Sequence, residues 1–201
     1  MNAHVARCLS FAFVFSASSA FALDLKSDDL NYTITVPGTW TVKSQDQTGF
    51  YIVGQDAQNR KREVSLVTMP THFARFDSSY IANFEQVLKK VHNLELVSSR
   101  VFTNDGVPAY ENIQRIGKAP VASVKVEHQI FAEGRLYQLD SVVIGGDATQ
   151  DSEMQAGLAS FHFLHAPKRS GVFGFGSLGV SVAILGVIIA GVLLAIRSRR
   201  A

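Results

Sequence analysis

The chain has 201 residues, 47% of them hydrophobic and 18% charged, with a formal net charge of +2. An intrinsically disordered chain would be poorer in apolar residues and richer in net charge, so that class is excluded. One cysteine excludes a disulfide scaffold, and a charge of +2 excludes a polybasic nucleic-acid binder.

The first 22 residues read as a secretory signal. Arg7 is the only charge in them, residues 8–21 are apolar or small, and Ala20-Phe21-Ala22 supplies the small-x-small cleavage pattern. Cleavage after Ala22 leaves Leu23 at the mature start; an uncleaved anchor is the alternative. Cys8 follows Arg7 rather than a small-residue lipobox and leaves with the signal. The mature chain then holds no cysteine, which excludes cysteine catalysis and thiolate metal sites.

Residues 31–36 alternate, with Tyr32, Ile34 and Val36 on one face and Thr33 and Thr35 on the other, the pattern of a half-buried strand. Pro37-Gly38 breaks it, and Trp40 and Val42 begin the next strand. Strands follow at 50–53 and 64–69, separated by the polar turn 56–62. Residues 77–93 form the clearest helix, with Tyr80, Ile81, Phe84, Val87, Leu88 and Val91 on one face. Asp77 is placed to cap it, Phe76 to staple onto Ile81, and Glu85 to pair with Lys89. The chain then returns to strands at 94–103 and 107–116, joined by the hairpin signal Asn104-Asp105-Gly106. A strand at 121–131 puts Ala122, Val124, Val126, His128 and Ile130 on one face. Glu133-Gly134 turns it into a strand at 136–144. A second helix is expected at 149–159, before Phe161 and Phe163. Consecutive hairpins with separate helices imply an α+β domain, a mostly antiparallel sheet with helices packed on it, over residues 23–164.

The C-terminal segment carries the strongest single signal. No residue from 171 to 196 is charged, and at 1.5 Å per residue this run exceeds a hydrocarbon core of ~30 Å. It reads as a juxtamembrane linker (165–176), one transmembrane helix (177–197) and a basic tail (198–201). Lys168 and Arg169 precede the span, and Arg197, Arg199 and Arg200 close it. An exported chain that meets such a segment stops there, leaving the tail cytoplasmic and the domain periplasmic or extracellular. The net charge then divides. Residues 23–166 hold all 17 acidic residues but 13 of the 19 basic ones, so the domain carries −4. Within the span, Gly176, Gly179, Ala183, Gly186 and Ala190 fall near one face, as in a helix-packing surface for self-association or for a membrane partner.

Four segments in this order resemble the PsbP-like superfamily of exported α-β-α sandwich domains: Tyr32-Thr33-Ile34-Thr35-Val36-Pro37-Gly38-Thr39-Trp40, Gly106-Val107-Pro108-Ala109-Tyr110, Gly134-Arg135-Leu136-Tyr137-Gln138-Leu139 and Ser160-Phe161-His162-Phe163. The resemblance spans residues 28–164. It implies the sandwich fold and, since members are mostly binding or assembly factors, a non-enzymatic role. They include an extrinsic photosystem II subunit, a Ran-binding nuclear import factor and bacterial envelope proteins. The C-terminal span departs from the photosynthetic subunit, and fold alone does not carry a task.

Chemical motifs have plain structural readings. Gly174-Phe175-Gly176-Ser177-Leu178-Gly179 matches G-x-G-x-x-G but lacks the preceding strand and the later acid of a dinucleotide site. His162 and His165, three apart, fall on opposite faces of a strand, and His128 reads as a rim histidine with one hydrogen bond. Asp24, Asp28 and Asp29 read as a solvated lead-in. Arg60-Lys61-Arg62 reads as a solvated turn, with lipid headgroups or an acidic partner as the alternative. The segment His72-Phe73-Ala74-Arg75-Phe76 either covers the sheet or forms a contact loop. Asn31-Tyr32-Thr33 is a glycosylation sequon if Asn31 is accessible. No catalytic set, cofactor or metal site is expected. The expected partners are the bilayer and a membrane or envelope protein, with self-association through the span. The alternatives are a hydrolase-type enzyme and a span processed as a sorting signal.

Overall fold

A computed structural model describes residues 22–71 and 75–168. The expected signal segment with Ala20, the expected span and tail, and the packing face Gly176, Gly179, Ala183, Gly186 and Ala190 lie outside the described residues. Among the described residues no helix is long and apolar enough to cross a membrane.

Among the described residues ten strands and two helices run in the order β1 (Ala22–Ser27), β2 (Tyr32–Pro37), β3 (Thr41–Asp46), β4 (Gly49–Gln55), β5 (Lys61–Pro70), α1 (Ser78–Leu88), β6 (Leu94–Asn104), β7 (Val107–Ile116), β8 (Ser123–Ala132), β9 (Arg135–Val143), α2 (Ser152–Ala159) and β10 (His162–Phe163). A 3-10 turn, Ala148–Gln150, precedes α2. Seven strands form one antiparallel sheet in the order β3-β4-β5-β9-β8-β7-β6, and β1-β2-β10 form a second, small sheet. The domain is therefore mixed, with a mostly antiparallel sheet and two helices.

The seven-stranded sheet is covered differently on its two faces. On one, Trp40, Phe50, Ile52, Val64, Leu66, Val126, Ile130 and Leu139 pack against Ile34 and Val36 of β2, Met154 and Leu158 of α2, and Phe161. On the other, Tyr80, Phe84 and Leu88 of α1 pack with Phe76, Tyr110, Phe131 and Leu136. One outer layer of the sandwich is thus a helix, and the other is a small sheet joined by a helix.

Four local expectations change. The acids expected in a solvated lead-in, Asp24, Asp28 and Asp29, are exposed, but the segment is not a loose lead-in: β1 pairs with β2, Leu25 is buried, and Asp24 accepts a 2.7 Å bond from the Thr35 hydroxyl. Helix α1 ends at Leu88 rather than 93. Lys90 and Val91 bond three residues back, and Asn93 takes a left-handed conformation at φ 61° that stops the helix. The second helix divides because Asp147 caps the 3-10 turn and Asp151 restarts the chain, accepting from Glu153 N and Met154 N. Strand β8 buries both faces, since it lies inside the sheet between β7 and β9. The β6–β7 hairpin forms as its residues dictate, with Asp105 at φ 46° and Gly106 at φ 80°, the paired left-handed conformations of a two-residue turn.

Candidate functional site

Three groups of polar residues stand out, and the first is built by sheet register. The most buried lies on the α1 face of β7, β8 and β9. Antiparallel pairing sets Asn112 opposite Glu127, Gln114 opposite Lys125, and Glu127 opposite Asp140. Lys125 Nζ lies 2.8 Å from Glu127 Oε2 and 2.9 Å from Asp140 Oδ1. Around this triad, Gln129 Nε2 donates to Glu127 at 2.6 Å, while Asn112 Nδ2 and Gln114 Nε2 donate to it at 3.2 Å. Gln138 Nε2 donates to Asp140 at 3.1 Å, and the Tyr80 hydroxyl of α1 donates to Gln129 at 2.9 Å.

Burial opposes charge throughout this belt, and the partners decide which groups keep it. Burial pushes the Asp140 carboxyl up to about 6 against the pull of Lys125, and the negative Glu127 adds to the rise. Glu127 suffers the same burial, but Lys125 and the amides of Gln129 and Asn112 hold it below its usual value. Lys125 is desolvated as well, yet Asp140 and Glu127 keep its ammonium above the ordinary lysine range. The triad is thus one cation shared between a firmly ionised carboxylate and a weakly ionised one.

A second group lies where the β4–β5 turn meets the start of α2. Asp56, Gln58, Arg60, Arg62, Asp147, Gln150, Asp151 and Ser152 line an open groove of about 300 Å³. The basic run of that turn is engaged within the domain. Arg60 pairs with Asp56 at 2.5 Å, Lys61 with Glu63 at 2.6 Å, and Arg62 with Asp151 at 2.7 Å and also with Glu153. Asp56 accepts from the backbone of Gln58 and Arg60 as well; burial works against its charge, but these donors keep its carboxyl below the usual range.

The third group binds the end of the described chain to the domain. Asn31, at the β1–β2 turn, accepts from His165 N at 2.8 Å through its Oδ1 and donates to His165 O at 3.1 Å. Leu164 N donates to Asn31 O, and Glu133 exchanges bonds of 2.9 Å with Lys168 through both backbone and side chain. The folded body continues through Lys168, and both side-chain atoms of the Asn31 sequon are occupied.

The remaining expected residues do not converge. Ala22 lies in β1 opposite Pro37. His162 meets Asp105 at 3.0 Å, while His165 is held through its backbone, so the two histidines have separate partners. Among the described residues no three His, Cys, Asp or Glu side chains gather around a metal-sized space. His128 Nε2 lies 3.0 Å from Glu111 Oε2, and Arg100 meets the same carboxylate at 2.6 Å. The hydrogen bond from His128 lowers the Glu111 carboxyl to about 2, with Arg100 adding to it against burial. In the expected contact loop, His72 and Phe73 lie outside the described residues. Arg75 is exposed, 3.8 Å from Asp77. Phe76 is a core residue and not part of a contact surface: its ring stacks on Phe131 at 4.3 Å and Tyr110 at 5.7 Å.

The sequence reading passed over Lys125, Glu127 and Asp140. A signal was present: Lys125, Glu127 and Gln129 alternate against Val124, Val126 and Ile130, and the structure places that strand between β7 and β9. Polar residues at such positions need partners from the flanking strands, which Asn112, Gln114, Gln138 and Asp140 supply.

No protein-family model and no curated protein matches the sequence. Solved structures do match. Cyanobacterial PsbP (CyanoP) from Synechocystis sp. PCC 6803 aligns with a TM-score of 0.52 and 14% identity, over 76% of this chain and 98% of that one. LpqN of Mycobacterium tuberculosis, involved in cell envelope biogenesis, aligns with a TM-score of 0.43 and 13% identity, over 69% and 84%. PA94 of Pseudomonas aeruginosa, a protein of unknown function, aligns with a TM-score of 0.43 and 10% identity, over 61% and 83%. At such identities the likeness is one of architecture, and the chain has a PsbP-like fold.

Proposed function

We propose that the chain is a non-enzymatic binding or assembly module, exported through its first 22 residues and held at a membrane by residues 177–197. Its domain faces the extracytoplasmic side, and its partner is another membrane or envelope protein. The observation that carries this reading is the attachment of residues 164–168 to Asn31 and Glu133. A chain that leaves the domain at a fixed point, shortly before an uncharged run of 26 residues, holds the domain near the bilayer in a restricted orientation. That is useful to a module that meets partners in the same membrane. The acidic domain, set apart from basic flanks, agrees with an exported body on a stop-transfer anchor. The PsbP-like fold supports a binding role by analogy only.

Topology is tested in the full chain carrying Cys8→Ser, so that an introduced cysteine is the only one. A cysteine in place of exposed Gln150 should react with a membrane-impermeant maleimide in intact cells. Ala201→Cys should react only after permeabilisation, and the protein should remain in membranes through a carbonate wash. Reversed labelling, or release by carbonate, overturns the anchored reading. Chemical cross-linking in membranes followed by mass spectrometry tests the assembly role. The expected result is a reproducible adduct, to the chain itself or to another protein, and no adduct of either kind overturns it.

A further inference from the structure

The seven-stranded sheet ends in β3 on one side and β6 on the other, and the two edges are built differently. An open edge presents unpaired backbone donors and acceptors and invites pairing unless it is short, charged or distorted. Strand β3 has these protections. It is six residues long, is bulged between Val42 and Ser44, carries Lys43 at the bulge, and is tied to β1 by Gln45 Nε2 donating to Lys26 O. Strand β6 is eleven residues long, and its bulge lies near the start, between Leu96 and Ser98. From Ser98 to Asn104 it pairs one to one with β7, so seven consecutive residues present a regular outer edge. This stretch has no lysine, proline or glycine. Its one charge, Arg100, is drawn back onto β7 by Glu111 through bonds of 2.6 and 3.1 Å. Val101, at 51% exposure, stands at the centre of the stretch.

We propose that β6 pairs with β6 of a second copy, joining two sheets into one through a two-fold axis at Val101. Two identical antiparallel edges related by an axis perpendicular to the sheet keep the same face upward. Opposed residues must then have the same parity, which restricts the registers. Centred on Val101, the register sets Val101 against its own copy, Arg100 against Phe102, Ser99 against Thr103, and Ser98 against Asn104. These are an apolar pair, a cation against an aromatic ring, a hydroxyl pair and a polar pair, all favoured across strands. No like charges face one another, and the pairing covers all seven regular residues. Centred on Arg100 instead, two guanidiniums would oppose each other. Centred on Ser99, the pairing would run into the bulge. The symmetry of the stretch about Val101 singles out a second copy over an unrelated strand. The inference stands apart from the proposed anchor, because it rests on the domain alone.

Directly opposed residues in an antiparallel pair lie within disulfide range, and a residue on the axis faces itself. In the full chain with Cys8→Ser, purified in detergent, Val101→Cys should therefore form a covalent dimer under mild oxidation. Val42→Cys, on the protected edge, should not. Without oxidation, Val101→Lys should convert the dimer to monomer in light-scattering measurements, since it sets two ammonium groups on the axis. Both valines are exposed, so neither variant threatens the core. A Val101→Cys chain that cross-links no more than Val42→Cys overturns the proposal. So does a wild-type dimer that survives Val101→Lys, which would assign association to another surface, and so does a wild-type chain that is monomeric at all concentrations reached. None of these outcomes bears on the labelling test of the anchor.

Discussion

Strand β8 sends Val126 and Ile130 to one side of the large sheet and Glu127 and Gln129 to the other, and all four are buried. On the first side the neighbours are Ile34, Leu66 and Leu139, and burial is stabilised by removing apolar surface from water. On the second side the neighbours are Lys125, Asp140 and a ring of amides, and burial is tolerated because nearly every polar atom has a partner. The difference lies in how each face fails. An apolar face loses energy in proportion to the space emptied or overfilled. A polar face loses little until one member is removed, and then loses the whole desolvation penalty of those left behind.

The largest effect is therefore expected on the polar side. Lys125→Met should destabilise the domain by about 3–5 kcal/mol, because it leaves two buried carboxyl groups without their cation. Denaturant unfolding of the domain measures this. Adding Glu127→Gln and Asp140→Asn to the same chain should recover much of the loss. If the single variant is as stable as the parent, the belt is wetter than its geometry implies and the contrast between the faces collapses.

A smaller effect tests the apolar side. A methyl group built on Gly54 would lie 2.6 Å from ring atoms of Trp40, itself buried. Gly54→Ala should cost about 1–3 kcal/mol by overpacking. It should also shift the fluorescence of Trp40, the only tryptophan in the chain. Smaller again is Asp151→Ala, which removes the N-cap of α2 and the partner of Arg62. The cap should account for about 1 kcal/mol. The loss read by thermal unfolding should be larger than for Asp77→Ala at the cap of α1, since Asp77 has only a distant arginine.

These contrasts also show what the amino-acid sequence could and could not display. The strand at Tyr32, Ile34 and Val36 was legible because its period of two matches one buried face, and all three residues are buried. The start of α1 was legible because Asp77 is a local cap, and the β6–β7 turn because Asp105-Gly106 meets a local conformational demand. Less visible were features that depend on register. Lys125, Glu127 and Asp140 are separated along the chain and become one cluster only when β8 and β9 align. Strand β1 was obscured because Asp24 within it and Asp28 and Asp29 just after it suggest solvent, while Leu25 finds the core only once β2 is in place. The capture of residues 164–168 depends on Asn31, more than 130 positions away, and no local pattern announces it.

The finest test of the two faces uses pH, because each carries a carboxyl group shifted in the opposite sense. Glu111, at the rim of the apolar side, is held at about 2 against an ordinary value of 4.5. The unfolded chain takes up that proton before the native one does as pH falls, so the stability Glu111 contributes is full above about 4.5 and is lost on the way to about 2. Asp140, on the polar side, is raised to about 6 from 3.8. Here the native state binds the proton first, so its contribution to stability is full below about 3.8 and is lost as pH rises through about 6. As pH falls from about 6 to about 4.5, acidification strengthens the fold through Asp140 while Glu111 is still silent. Asp140→Asn should remove the rise in melting temperature on going from neutral pH toward 5 and leave the acid-side loss in place. Glu111→Gln should do the converse, flattening the acid limb and keeping the rise. If both variants retain the parental profile, neither carboxyl titrates differently in the folded state, and the polar belt no longer differs electrostatically from the rim it was compared with.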